Sequence, residues 1–138
     1  SDAFIKKNLK RNFDFIQLHG SETKERVTEL KNMGFKIIKA IKVKSEKDIE
    51  KFKEFNNADI ILFDTPGMEK SLEFPKDLID KIPKGEKYAL AGSISEDNVE
   101  NISKLGVNFF DLSSSLENQL GYKDHLKIKS FMSKINEI

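Results

Sequence analysis

Five short apolar runs, each closing on a polar or small residue, recur along this chain at roughly 25-residue intervals and alternate with helical periodicity. That alternation is the strongest constraint the sequence carries. Connections long enough to hold a helix make neighbouring strands parallel and their crossovers right-handed. Two architectures accept the pattern. One is an open doubly wound sheet with helices on both faces; the other is a stretch of (β/α)8 TIM-barrel wall with helices on one face only. A complete barrel needs about 250 residues, so 138 residues can supply only part of one. With no linker, low-complexity tract or internal boundary, residues 1–138 read as a single α/β domain.

The run Ile60-Ile61-Leu62-Phe63-Asp64 organises the rest. Four apolar residues, two of them β-branched, indicate a strand buried on both faces. It stops on a carboxylate, and Pro66-Gly67 then forces a turn. In parallel α/β sheets, ligands and catalytic side chains gather at the carboxyl ends of strands. Asp64 is therefore the first candidate for chemistry, against the simpler reading of a residue that turns the chain. The other strands occupy residues 13–20, 36–43, 88–93 and 108–112, and they end on His19-Gly20, Lys42, Gly92-Ser93 and Asp111. All these ends converge on one face. The last two exits, Ala91-Gly92-Ser93-Ile94-Ser95 and Asp111-Leu112-Ser113-Ser114-Ser115, combine small residues, backbone N–H groups and hydroxyls. Consecutive turns of this kind suit a phosphate; capping by Ser95 and Ser113 is the competing reading. His19 has a structural reading too, as a donor to a backbone carbonyl at a strand end.

Helices are expected over residues 3–12, after Ser21 with Gly34 as the stop, over 45–55, around 76–82, from Ser95 to Gly106, and from about Asp124 onward. Their buried stripes are Val27, Leu30 and Met33, then Ile49, Phe52 and Phe55, then Val99, Ile102 and Leu105, and finally Ile128, Phe131, Met132 and Ile135. Charged residues make up 34% of the chain with a net charge of +1, which gives no case for nucleic acid or an anionic membrane surface. There is no cysteine, hence no disulfide, thiolate nucleophile or Cys-type zinc site, and no metal is expected. No apolar run approaches the ~20 residues of a membrane span, and no signal-peptide pattern opens the chain. A cytoplasmic location is the expectation.

Several of these stretches, in order, carry a family resemblance: Phe15-Ile16-Gln17-Leu18-His19-Gly20; Lys39-Ala40-Ile41; Leu62-Phe63-Asp64-Thr65; Leu90-Ala91-Gly92 with Glu96-Asp97-Asn98-Val99; and Asp111-Leu112-Ser113-Ser114 with Glu117 and Gly121-Tyr122-Lys123-Asp124. The chain resembles the last five strands of phosphoribosylanthranilate isomerase, a (β/α)8 enzyme of tryptophan biosynthesis. The resemblance implies a cofactor-free Amadori rearrangement of a phosphorylated aminoaldose to an aminoketose. It implies Asp64 as general acid, opening the furanose by protonating its ring oxygen. The family's general base is a cysteine on the first strand, which has no counterpart here. By the same resemblance Gly92, Ser93, Ser114 and Ser115 hold the phosphate, while His19 and Asp111 line the substrate pocket.

The pattern also departs from the family's. Gly92-Ser93 replaces a Gly-Gly pair, Ser115 replaces a glycine, and Glu69 and Glu73 lie in the segment after Asp64. Serine resists the positive φ that glycine accepts near a phosphate. A non-catalytic α/β module with a weak anion site is the alternative, in which Asp64 would be buried or salt-bridged rather than directed into an open site. Five barrel strands would leave two open edges and an apolar inner face. Either a preceding segment of roughly 60 to 70 residues covers them, or they pair with another chain.

Overall fold

The computed structural model describes residues 2–8, 13–64, 74, 76–92, 94–107 and 109–138. Its elements are α1 (Asp2–Asn8), β1 (Phe15–Leu18), α2 (Lys24–Asn32), β2 (Lys36–Lys42), α3 (Glu46–Ile49), β3 (Ile60–Asp64), α4 (Lys76–Ile79), β4 (Tyr88–Ala91), α5 (Val99–Lys104), β5 (Phe110–Asp111), β6 (Glu117–Gln119), β7 (Tyr122–Lys123) and α6 (His125–Asn136). The first five strands form one parallel sheet in the order β1-β2-β3-β4-β5. No switch point interrupts that order, so the doubly wound alternative is excluded.

Strand alternation sorts the side chains into two layers. Ile37, Ile41, Ile61, Phe63 and Leu90 belong to the main core with Val27, Leu30, Ile49, Ile79, Val99, Ile102 and Phe131 from the helices. The opposite face carries a separate small cluster of Ala40, Leu62, Ala89 and Ala91, flanked by Ile38 and Ile60, to which no helix contributes. Helices on one face and small residues on the other describe a curled wall, convex toward the helices. The partial TIM-barrel expectation holds.

Local chemistry explains where the elements begin. Thr23, not Ser21, is the N-cap of α2: its hydroxyl accepts the Arg26 N–H at 3.3 Å. Ser45 is the N-cap of α3, and its N–H donates to the Asp48 carboxylate at 3.1 Å in the reciprocal half of a capping box. The helix expected over 45–55 divides, because after α3 the chain tightens into a 3₁₀ helix, Glu50–Phe55. The stripe Ile49, Phe52 and Phe55 has a period of three, and three residues per turn is the 3₁₀ geometry. Phe52 meets Phe63 and Tyr88 edge-on, with ring centroids 6.4 and 5.8 Å away. α5 starts at Val99 rather than Ser95, since the Asn98 side chain accepts the Ser95 N–H at 3.0 Å and holds residues 95–98 as a turn. The helix expected over 3–12 is described as α1; residues 9–12 lie outside the described residues, as does the turn at Pro66-Gly67.

Candidate active site

Alternation along β3 sends Ile61 and Phe63 to the helices, and hence Ile60, Leu62 and Asp64 to the concave face. Register places Lys42 beside Asp64 and Asp111 beside Ala91, so these side chains share that face at the carboxyl ends of β2, β3 and β5. The Val43 N–H donates to the Asp64 carbonyl at 2.8 Å, which keeps β2 and β3 paired up to the last residue. Asp64 is half-buried, while Lys42 and Asp111 are exposed.

The exit of β4 turns at Gly92 with φ +93°, a left-handed conformation that favours glycine. Ser93 lies outside the described residues. The exit of β5 becomes a 3₁₀ helix, Ser114–Leu116, and Ser114 and Ser115 line a cavity of about 320 Å³ with Ser95 and the 117–120 segment. This cavity brings together hydroxyl residues from the two consecutive exits. A carboxylate, Glu117, also lines it, but Lys123 pairs with that group at 2.6 Å and reaches the Ser113 carbonyl at 2.9 Å. Lys127 donates to the Glu117 carbonyl at 2.6 Å, so the β6–β7 hairpin is tied to α6 beneath the cavity. The hairpin itself was not expected from the sequence. Its signal was Gly121, whose φ of +82° makes the turn.

His19 follows β1 and lines a separate open cleft of about 740 Å³ with Lys39 and Lys42. Asp64, Gly92 and Asp111 line neither of these two spaces. Among the described residues, no group of three or more His, Asp or Glu is placed to hold a metal ion. The charged residue to which sequence reasoning gave no role is Lys39, 3% exposed and the buried polar side chain of the described core. Its ammonium donates to the Glu22 carboxylate and to the Gly20 carbonyl, both at 2.8 Å, and lies 5.2 Å from the Phe55 ring centroid. Burial pushes the Glu22 carboxyl up, but the Lys39 hydrogen bond and charge, with backbone N–H groups, outweigh it and hold the group below its ordinary range. The signal was available: Lys39 sits midway between Ile37 and Ile41, on the helix-facing side of the strand.

Residues 1–134 match the model of the family described as N-(5'phosphoribosyl)anthranilate (PRA) isomerase. An N-(5'-phosphoribosyl)anthranilate isomerase of Thermoanaerobacter pseudethanolicus is 36% identical over 132 residues, covering 92% of this chain and 63% of the relative. The phosphoribosyl anthranilate isomerase of Thermotoga maritima superposes with a TM-score of 0.75 at 25% identity, covering 91% of this chain and 63% of that one. A structure of the isomerase in complex with reduced 1-(o-carboxyphenylamino)-1-deoxyribulose 5-phosphate gives a TM-score of 0.71 at 28% identity, covering 91% and 61%. The chain thus spans about 63% of the length of curated relatives it matches. With a match over nearly all its residues and the same curled sheet beneath them, the chain belongs to the PRA isomerase family.

Proposed function

We propose that this chain forms the part of a phosphoribosylanthranilate isomerase that carries the general acid and the phosphate cradle, acting in the cytoplasm on a phosphorylated aminosugar. The observation that carries the reading is Asp64, a carboxyl group half-buried at the carboxyl end of β3 on the concave face. A proton delivered from Asp64 to the furanose oxygen lets the ring C–O bond break while the amine lone pair forms a C=N bond. Removal of the proton from the adjacent carbon then gives the enolamine, which tautomerises to the aminoketose. Acid and base act on different atoms of one sugar, so they belong on different walls of the site. The chain has no cysteine, so the family's base comes from outside these 138 residues, and the chain alone is inactive. Ser114 and Ser115, with Gly92 and Ser93 of the preceding exit, hold the phosphate. His19 and Asp111 flank the sugar and ring.

The test joins the chain to the first three βα units of a family member and measures isomerase turnover. Asp64→Asn is expected to lower kcat by roughly 10²-fold or more with a much smaller change in KM. Turnover near that of the unmutated fusion would remove Asp64 from the mechanism and favour a non-catalytic module with a weak anion site.

A further inference from the structure

Lys39 is in an expensive place for a cation, since a charge taken out of water must be compensated by hydrogen bonds and an opposite charge. Here the compensation is complete. An ammonium has three donors, and Lys39 directs them among the Glu22 carboxylate, the Gly20 carbonyl and the face of Phe55. The second half of the arrangement closes on the same glycine. The Gly20 N–H donates to the Glu22 carboxylate at 2.9 and 3.3 Å. Both backbone polar groups of Gly20 are thus held by one ion pair, buried at Lys39 and half-buried at Glu22. A Cβ at Gly20 would stand 3.0 Å from a Glu22 oxygen, so the carboxylate approaches as closely as a glycine permits.

The residue so fixed follows His19. Holding the Gly20 N–H orients the peptide plane between residues 19 and 20, which restrains ψ of His19 and thereby restricts the rotamers its imidazole can adopt. Lys39 lies in the helix-facing layer, where Leu18 and Ile61 are its neighbours in register, and Lys39, Glu22, Gly20 and His19 line one open cleft. We infer that Lys39 and Glu22 are positioning residues, a half-buried clamp on Gly20 that positions the neighbouring His19. The inference deepens the proposed function, since the role of His19 in lining the substrate pocket rests on that reading. The positioning itself does not depend on it.

The chain has two histidines, and His125 lies at the far end of the sequence at the start of α6, an internal control. Imidazole and side-chain coupling spectra of His19 and His125 are recorded for the unmutated chain and for Lys39→Met, Glu22→Gln and Lys39→Arg. Asp59→Asn is the structural control, because Asp59 also joins an ion pair, with Lys31 at 2.8 Å, and accepts the Ile37 N–H, at the other end of β2. Lys39→Met and Glu22→Gln are expected to shift His19 and average its side-chain couplings while His125 stays in place. Lys39→Arg, which keeps the charge and donors, is expected to restore most of the His19 signature, and Asp59→Asn to leave it unmoved. If Lys39→Met gives no dispersed amide spectrum, Glu22→Gln decides by the same criteria, its side chain being 29% exposed and tolerant of exchange. Unchanged His19 signals in a folded variant, or an equal change in Asp59→Asn, overturn the clamp. In the fused isomerase, Lys39→Met should reduce kcat/KM by about tenfold, toward the ~10²-fold that a small misplacement of a site residue can cost. Loss of the His19 signature with turnover intact would support the clamp and count against His19 in the isomerase reading.

Discussion

At the scale of single residues, charge placement makes stability depend on acid in a definite direction. The Lys51 hydrogen bond, together with the Lys44 N–H and the Ser45 hydroxyl, holds Asp48 down to about 2 from 3.8. Hydrogen bonds from Lys104 and then Lys134 hold Glu100 down to about 2 from 4.5. A carboxyl depressed by folding contributes stability that is fully present above its unfolded pKa and disappears as pH falls through the folded one. Urea midpoints should therefore be level above about pH 5 and fall as pH is lowered through the 4.5 to 2 interval. Asp48→Asn should cost about 1 kcal/mol at pH 7, the size of a solvent-screened capping interaction. Its deficit against the unmutated chain should shrink as pH approaches 2, and a deficit constant with pH would show that the charge of Asp48 contributes nothing.

Among the elements, α6 offers the cleanest separation of cap from packing. The Asp124 carboxylate accepts the Leu126 N–H at 2.8 Å and the Lys127 N–H at 3.3 Å, while Phe131 is buried in the main core. Asp124→Ala should cost about 1 kcal/mol, and Phe131→Ala about 3 to 5 kcal/mol, both read from urea unfolding. Similar losses for the two would mean that α6 is held by something other than its apolar face. Elements of this kind were legible because a periodic stripe and a capping residue are local signals. Thr23 was missed in favour of Ser21 because both are competent caps and only the path of the chain after β1 decides between them. The β6–β7 hairpin escaped notice because Glu117, Asn118 and Gln119 carry no alternation; Lys123 holds Glu117 across its turn, and Lys127 ties it to α6. Of the site, the strand-end carboxylates were legible from position, but the Lys39 clamp depends on contacts between residues 17 and 19 positions apart.

As a whole molecule, the described sheet has two outer edges, β1 and β5, with Phe13, Phe15 and Phe109 exposed near them. Exposed apolar residues beside unpaired parallel strands favour association. Sedimentation of a chain verified to start at Ser1 should give a mass above the monomer's 15.8 kDa. A stable, cooperatively folding monomer would instead indicate a self-contained α/β module. The parallel strands followed from the βα period and their sequential order from that period together with the family resemblance, whereas the curvature shows in the alanines of the concave cluster, whose small volume a period cannot report. The central claim is that the carboxyl ends of these strands form one substrate face. Titration of the chain with reduced 1-(o-carboxyphenylamino)-1-deoxyribulose 5-phosphate, followed by backbone amide shifts, tests it most directly. The account predicts saturable changes at His19, Asp64, Gly92, Asp111, Ser114 and Ser115, with inorganic phosphate competing only at Gly92, Ser114 and Ser115. Saturation without these residues, or no saturable change at all, would contradict it.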